Sequence, residues 1–214
     1  MIGKQEQPLG SQIFHRIRDD ILSQRYQEGD ELKEVSLGNE MGVSRTPVRE
    51  ALRQLELEGL VQIVPNKGAI VRGISKTDVE DIYHIRYLLE GLCARWSIDH
   101  VTERQLADLE ESVMLSEYYL KREDEHSDEL LSFHDERFHE ILYQACNSRI
   151  LGRILHDFHH YVKFYRKQSI LTGERARRSI REHKLLLRAI KEGDRELAEQ
   201  LAKEHMLLVM ENLK

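Results

Sequence analysis

Three histidines and one aspartate in the C-terminal two-thirds of the chain have the residue types and spacing of a metal site. Asp135 and His139 are four residues apart, so they would share one face of a helix. His183 lies ten residues before Gly193, and His205 lies twelve residues after it. In an antiparallel helix pair that turns at this glycine, both histidines reach about the same level, ~15 Å and ~18 Å from the turn. Such a set suits Zn²⁺, Ni²⁺ or a similar divalent ion and leaves positions for water or a substrate.

The abundance of histidine offers another explanation of this spacing. The chain of 214 residues holds 11 histidines, so chance pairs at helical spacing are expected. The hairpin register is an observation independent of the Asp135–His139 pair, and it favours a metal site. Among the remaining histidines, we expect at least two of His156, His159 and His160 to lie on the surface. Cys93 and Cys146 fall on apolar helix faces, which indicates core residues and not ligands.

A second group of residues has the chemistry of nucleic-acid contact. Ser44, Arg45, Thr46 and Arg49 stand at the start of a helical pattern. Short hydroxyls bind phosphates, and arginines bind both phosphates and guanine edges. Lys67 stands in a predicted turn, where a cation could reach the DNA backbone or the minor groove. A small α/β domain with a solvated basic edge would give the same pattern, so this alternative stays open.

The elements that must position this second group occupy the first third of the chain. Apolar residues at helical spacing predict three helices, and two short runs of β-branched residues predict a two-stranded ribbon. Pro47 fits the first turn of the third helix, which Ser44 or Thr46 would cap. This order is typical of a winged helix-turn-helix, whose third helix enters the major groove. The first two predicted helices span about 11–25 and 32–41, and the third stops at Gly59. The predicted strands span 61–64 and 69–72 and are joined by the turn PNKG (65–68).

The rest of the chain reads as helical. No proline follows Pro65, and two capping boxes, at Thr77–Glu80 and Thr102–Gln105, mark helix starts. The sequence predicts a mostly α protein, in which an antiparallel bundle of six to seven helices follows the winged helix-turn-helix. We place the domain boundary near Gly73–Lys76, giving domains 1–74 and 75–214. The first helix of the bundle has an apolar stripe that we expect to face the core, formed by Ile82, Ile85, Leu88, Leu89 and Leu92.

The net charge of −6 would by itself argue against nucleic-acid binding, but its distribution does not. Residues 77–214 carry the whole excess of acid, and residues 45–76 have a net charge of +3. The 40% of apolar residues suits a globular protein with a core, and no run of ~18 apolar residues could span a bilayer. Two cysteines and the absence of a signal-peptide pattern favour a cytoplasmic location.

The segments GVSRTPVREALRQLELEGLV (42–61) and PNKGAIV (65–71) resemble the GntR family of bacterial transcription regulators. The resemblance extends over residues 11–72 and implies binding to palindromic double-stranded DNA operators. It departs at Val35, where some relatives have an arginine in the second helix. Carried over by position, the resemblance assigns DNA contact to the start of the third helix and to the wing, which supply Arg45, Thr46, Arg49, Asn66, Lys67 and Gly68.

The helical segments resemble the ligand-binding domain of the FadR subfamily of these regulators. The matching stretches are DIYHIRYLLE (81–90), FHDERFHEIL (133–142) and EHKLLLRAI followed by KEGD (182–194). Metal-binding members use an aspartate, a histidine one turn later and two histidines on the last two helices, so the resemblance implies that Asp135, His139, His183 and His205 hold the metal. It also implies that Arg86 faces the bundle interior. There it could bind a carboxylate effector or form an ion pair with Glu90, four residues on.

Two functions compete at this point. The first is a ligand-responsive regulator in which a small organic acid changes the DNA affinity of a homodimer. The second is a helical-bundle metalloenzyme of the carboxylate and histidine type. A di-iron site needs Glu-x-x-His on two helices, and the chain has this motif at Glu136–His139 and, within a charge run, at Glu123–His126. The second motif is poorly placed for a core, so we expect a regulator and not an enzyme.

Overall fold

The computed structural model describes residues 8–65, 67–122, 126–170 and 173–211, with side chains given except over 164–170. The chain divides into two compact units, residues 1–76 and 77–214. In the described residues, the first unit contains three helices and a small sheet, and the second contains six helices. The mostly α fold that the sequence predicts is therefore confirmed. No helix in these ranges is both long and apolar enough to cross a membrane.

The three helices of the first unit are α1 (Leu9–Leu22), α2 (Glu34–Met41) and α3 (Arg45–Leu57). α1 is shorter at its end than the predicted 11–25, because the chain turns at Gln24, which has a φ of 61°. Gly42 ends α2 in the left-handed conformation with a φ of 68°, which glycine adopts without steric strain. Ser44 occupies the N-cap position of α3, but its side chain makes no capping hydrogen bond.

The sheet of the first unit has three strands, one more than the sequence predicts. They are β1 (Glu31–Leu32), β2 (Val61–Val64) and β3 (Gly68–Val71), antiparallel and in the order β1-β3-β2. The expectation that the second helix begins at Leu32 is therefore wrong. Leu32 pairs with Ala69 in the sheet and buries its side chain, and a strand of two residues is too short to leave an alternating pattern.

The backbones of β1 and β3 come close together at Gly68. Its φ is 100°, and a Cβ atom placed on it would overlap the carbonyl oxygen of Leu32. Both features require glycine, whatever else the residue does. The turn before it includes Pro65 and Lys67, and Asn66 lies outside the described residues.

Over its described residues, the second unit is an antiparallel bundle of six helices. Thr102 caps the second of them with the predicted capping box. The first begins at Lys76, so Thr77 lies within its first turn and not at its N-cap. Asn147 follows the third helix with a φ of 53°, which makes it a helix-ending residue. The helices are α4 (Lys76–Ser97), α5 (Glu103–Leu120), α6 (Ser127–Ala145), α7 (Arg149–Ile170), α8 (Gly173–Glu192) and α9 (Arg195–Glu211).

Arg86 faces the interior of the bundle, as the resemblance implies, but the apolar stripe of α4 is only partly directed inward. Arg86 and Glu90 are buried, with 0% and 4% of their surface exposed, whereas Ile85 and Leu88 are 44% and 59% exposed. The apolar stripe therefore does not face the core along its whole length, and only Ile82 of its five members is buried. A polar network, described below, takes the inner face instead. Cys93 and Cys146 are buried within the hydrophobic core, as predicted.

Candidate nucleic-acid interface and metal centre

A groove crosses the first unit between the start of α2, the exposed face of α3 and the β2–β3 turn. Five cationic side chains and two carboxylates line it. Field lines from clustered cations draw polyanions into such a groove, so its chemistry suits the phosphate backbone of DNA. The charged residues that line this groove are Glu31, Lys33, Glu34, Arg45, Arg49, Arg53 and Lys67.

Glu34 binds both arginines at the start of α3. Arg49 donates from Nε to Oε1 at 2.7 Å and from Nη2 to Oε2 at 2.8 Å. Arg45 donates from Nη2 and Nε to Oε2 at 3.2 Å and 3.3 Å. The hydrogen bonds from Arg49 lower the pKa of Glu34 to about 2, so this carboxylate is ionised at neutral pH. Glu34 could not be identified from the sequence, because its partners lie 11 and 15 positions away and no local spacing connects them.

The other predicted DNA-contacting residues also lie at this end of the first unit. Ser44 and Thr46 are exposed at the start of α3, and Lys67 is exposed in the turn between the strands. Gly68 begins β3 beneath that turn. The start of α3 and the β2–β3 turn therefore line one groove, to which both Arg49 and Lys67 contribute.

Three histidines meet in the interior of the second unit. His139 on α6, His183 on α8 and His205 on α9 each offer a ring nitrogen within 4.8 Å of the others. Their ring centroids lie 4.8–5.3 Å apart, and no more than 3% of any of these residues is exposed. The hairpin of α8 and α9 therefore brings His183 and His205 to the same level, at the point where α6 presents His139.

The surroundings of these histidines fit a metal ion. Nitrogens bound to one zinc ion at ~2.1 Å lie at most about 4.2 Å apart, so small side-chain rotations suffice to bring the three together. Neither ring nitrogen of His139 makes a hydrogen bond within the described residues. A buried polar group without such a bond needs another partner, and a metal ion would provide one.

Asp135, the fourth predicted ligand, lies next to this cluster without joining it. Its Oδ1 atom accepts a hydrogen bond from the Ser179 hydroxyl at 3.1 Å. The same oxygen lies 3.8 Å from Nε2 of His183. Among the described residues, the group whose ligand atoms all lie within 4.8 Å of one another consists of the three histidines.

Glu182 on α8 orients one of the three histidines. Nδ1 of His205 lies 2.6 Å from Oε2 of Glu182 and donates a hydrogen bond to it, because a carboxylate can only accept. This bond fixes the tautomer in which Nε2 carries the lone pair that a metal requires. Arg175, 4% exposed, donates to both oxygens of Glu182 at 3.0–3.1 Å and holds the carboxylate in place. Glu182 could not be identified from the sequence, because it is 23 positions from His205.

A second polar network adjoins the histidines on the side of α4. Arg86 donates to Oε1 of Glu90, and the hydroxyl of Tyr143 donates to the same oxygen at 2.6 Å. Burial raises the pKa of Glu90, but the Arg86 cation outweighs it, so the net shift is downward and the carboxylate is ionised. The other oxygen of Glu90 lies 3.7 Å from Nδ1 of His139. His159 is also buried here, with Nδ1 3.4 Å from the Tyr143 hydroxyl.

Arg86 therefore forms the ion pair with Glu90 that was one of its two expected roles. Its Nη1 atom remains buried and makes no hydrogen bond within the described residues. The other two histidines of the 156–160 segment are less enclosed, because His156 is exposed and His160 is half-buried.

Two family models together cover most of the chain. Residues 9–71 match the bacterial regulatory proteins of the gntR family, and residues 81–208 match the FCD domain.

Glu136, part of one possible di-iron motif, pairs instead with Lys163 at 3.0 Å, and Glu123 lies outside the described residues.

Similar proteins match most of the length of this chain. The uncharacterized HTH-type transcriptional regulator YdhC of Bacillus subtilis is 29% identical over 97% of this chain and 92% of its own length. The gluconate operon transcriptional repressor of the same species is 30% identical over 88% of this chain and 78% of its own. McbR/YncC of E. coli shares the fold, with a TM-score of 0.77, 22% identity and coverage of 97% and 98% of the two chains. The two Bacillus subtilis relatives are named as transcription regulators and not as enzymes, and the chain belongs to the GntR family of bacterial transcription regulators with a C-terminal FCD domain.

Proposed function

We propose that this chain is a cytoplasmic homodimer that binds a palindromic operator and releases or retains it in response to a small organic acid. The helical unit would bind a divalent metal ion, zinc or nickel, and the acid would bind beside it. The observation that carries this proposal is the cluster of three buried histidines next to the buried guanidinium of Arg86.

The start of α3 would read the operator in the major groove, and the wing would contact the backbone or minor groove. Arginines supply the donors that guanine O6 and N7 require, while hydroxyls and lysine hold phosphates. Gly68 would act by allowing the wing backbone to approach, because its geometry excludes a side chain. The proposed contact residues are Ser44, Arg45, Thr46, Arg49, Asn66, Lys67 and Gly68.

His139, His183 and His205 would hold the metal, with Asp135 as a fourth ligand reached by rotation of its side chain. Imidazole ligands favour zinc, nickel and similar borderline ions over magnesium or calcium. When bound, such an ion supplies a Lewis acid with positions that an oxygen ligand can take. The protein contributes the orientation of its ligands, as Glu182 does for His205.

Arg86 would bind the carboxylate of the effector. The Nη1 atom supplies a buried donor, and a hydrogen bond to an ionised carboxylate is about twice as strong as a neutral one. The ion pair with Glu90 leaves this atom unused. Sugar acids are the first compounds to test, since one relative is named for the gluconate operon.

The exposed face of α4 supports the homodimer. Ile85, Leu88 and Trp96 are 44%, 59% and 41% exposed, and their spacing places them on one side of the helix. An apolar stripe of this kind is typical of a surface that a second copy covers. A dimer presents two winged helices to the two halves of a palindrome.

The experiment that tests the proposal is a thermal-shift screen of the full chain against small organic acids, with and without zinc or nickel. A ligand at 100 times its Kd stabilises the native state by ~2.7 kcal/mol, which corresponds to a rise of about 5–10 °C in Tm. We expect one acid to give this shift in the presence of metal and to change operator affinity in parallel. An acid that shifts Tm equally without metal would contradict the proposed site, and the absence of any shift would contradict an acid effector.

Glu182→Gln is expected to weaken metal binding by about 10- to 100-fold. Glutamine keeps an acceptor for His205 but loses the charge that raises the basicity of the ring, and losses of such bonds have effects of this size. Competition with a chromophoric chelator measures the affinity. Glu174→Gln is the matched control, because Glu174 lies on the same helix, is exposed and pairs with Arg178. Equal affinity in the two variants would show that Glu182 does not orient a ligand.

A further inference from the structure

The groove of the first unit contains a carboxylate where a polyanion is expected to bind. Glu34 opens α2, and its side chain is 20% exposed, so it is neither a core residue nor a solvated surface charge. Its two oxygens accept four hydrogen bonds from two arginines that are themselves half exposed. A negative charge here weakens attraction to every phosphate, so its presence requires a compensating role.

We propose that Glu34 is a positioning residue for DNA recognition, which holds Arg45 and Arg49 in the orientation that reads base edges and so raises the preference for the operator over other DNA. This inference rests on the proposed function of the groove. It concerns a residue outside the set to which sequence similarity assigns DNA contact.

The geometry leaves the reading edge of each arginine available. A guanidinium has five N–H groups, and Glu34 takes the side edge of Arg49, formed by Nε and one hydrogen of Nη2. The end edge, formed by Nη1 and the second hydrogen of Nη2, is the pair of donors that fits O6 and N7 of guanine. Glu34 therefore restrains the side chain without occupying the atoms that would read a base. Arg45 is held by the same side edge.

Restraint before binding favours specific contacts over non-specific ones. An unrestrained arginine loses much of its rotamer freedom when it forms a bidentate contact, and an arginine already held in place loses less. Contacts to phosphates tolerate many side-chain positions, so they gain little from this restraint. They do feel the full effect of the carboxylate charge, and the pKa of about 2 keeps that charge present at neutral pH.

The groove offers a matched control for charge alone. Glu31 also lines it, but its side chain is 47% exposed and its ion pair is with Lys33 at 3.6 Å. Glu31→Gln and Glu34→Gln each remove one negative charge from the same groove. Glu34→Asp keeps the charge and shortens the side chain by one methylene group, so the bidentate contact with Arg49 is lost.

The test uses the full chain and an operator selected by the wild-type protein from a random duplex pool. Fluorescence anisotropy then gives the Kd for this operator and for a scrambled duplex of equal length. We define the specificity ratio as the Kd for the scrambled duplex divided by the Kd for the operator. This ratio should fall by about 10- to 100-fold in Glu34→Gln and in Glu34→Asp, as for loss of a bidentate base contact. Scrambled DNA should bind Glu34→Gln at least as tightly as wild type. Glu31→Gln should tighten both complexes and leave the ratio unchanged.

The outcomes separate this inference from the proposed function. The positioning role would be overturned if the specificity ratio of Glu34→Gln equalled that of Glu31→Gln and the ratio of Glu34→Asp equalled that of the wild type. The regulator assignment would then remain intact. Failure of the wild-type chain to select any duplex would overturn the proposed operator binding, and this inference with it. The Tm of each variant is measured alongside, and Glu34→Asp decides the matter if Glu34→Gln does not fold.

Discussion

Replacing Arg49 by alanine is expected to abolish operator binding while leaving the metal content of the protein unchanged. Arg49 lies half exposed in the groove, and its bidentate contact with Glu34 holds its end edge ready for a base. A good bidentate contact supplies ~1–3 kcal/mol of base discrimination, and a dimer would lose two of them. The operator affinity should therefore fall at least about 30-fold, towards the level of non-specific binding.

Gel-shift or anisotropy titrations against the operator and a scrambled duplex measure this loss, and elemental analysis measures the metal. Arg25→Ala is the matched control, because it also removes one arginine from the first unit. Arg25 pairs with Asp20 and Glu40 and does not line the groove. If the Arg49 variant still distinguished operator from scrambled DNA as wild type does, the assignment of α3 as the reading helix would be wrong.

His183→Ala and His205→Ala are each expected to remove most of the bound metal at neutral pH. Each substitution deletes one of the three imidazole ligands that come together in the described part of the bundle. The affinity should fall further than the ~10- to 100-fold caused by losing a hydrogen bond to a ligand, because a direct bond to the ion is lost. Elemental analysis of the purified full chain gives the stoichiometry, and dialysis against chelator followed by zinc titration gives the affinity.

His156→Ala controls for the removal of a histidine as such, because His156 is exposed on α7. This variant should retain wild-type metal content. Circular dichroism and Tm distinguish loss of metal from loss of fold, since both substituted histidines are buried. Wild-type stoichiometry in a folded His183 or His205 variant would rule out the proposed ligand set.

Local spacing predicted the parts of the site that depend on helix geometry. The distances of His183 and His205 from the Gly193 turn place them level in an antiparallel hairpin, and the structure has them with ring centroids 4.8 Å apart. The same reasoning found the capping box at Thr102. These features depend on the rise per residue of a helix and on contacts within one helical turn, and both can be predicted from the spacing of residues in the sequence.

Features that depend on distant partners were not predictable in this way. The side of α4 that faces inward is decided by Glu90 and Arg86, whose burial is compensated by Tyr143 on α6. The apolar stripe predicts only part of this inward face, because Arg86, Glu90 and Tyr143 form a polar network there. Glu34 and Glu182 could not be predicted for the same reason, because each binds a side chain on another helix. Glu34 on α2 binds Arg49 on α3, and Glu182 on α8 binds His205 on α9.

The two-residue strand β1 has a consequence for the behaviour of the protein at high local concentration. It covers the edge of β3 that would otherwise present unpaired backbone groups. The edge that β1 itself leaves is very short and carries Glu31 with Lys33 beside it. Short edges with charged side chains resist the addition of strands from other molecules, which is a common start of aggregation. Copies gathered side by side on DNA are therefore protected, at this edge, from joining their sheets.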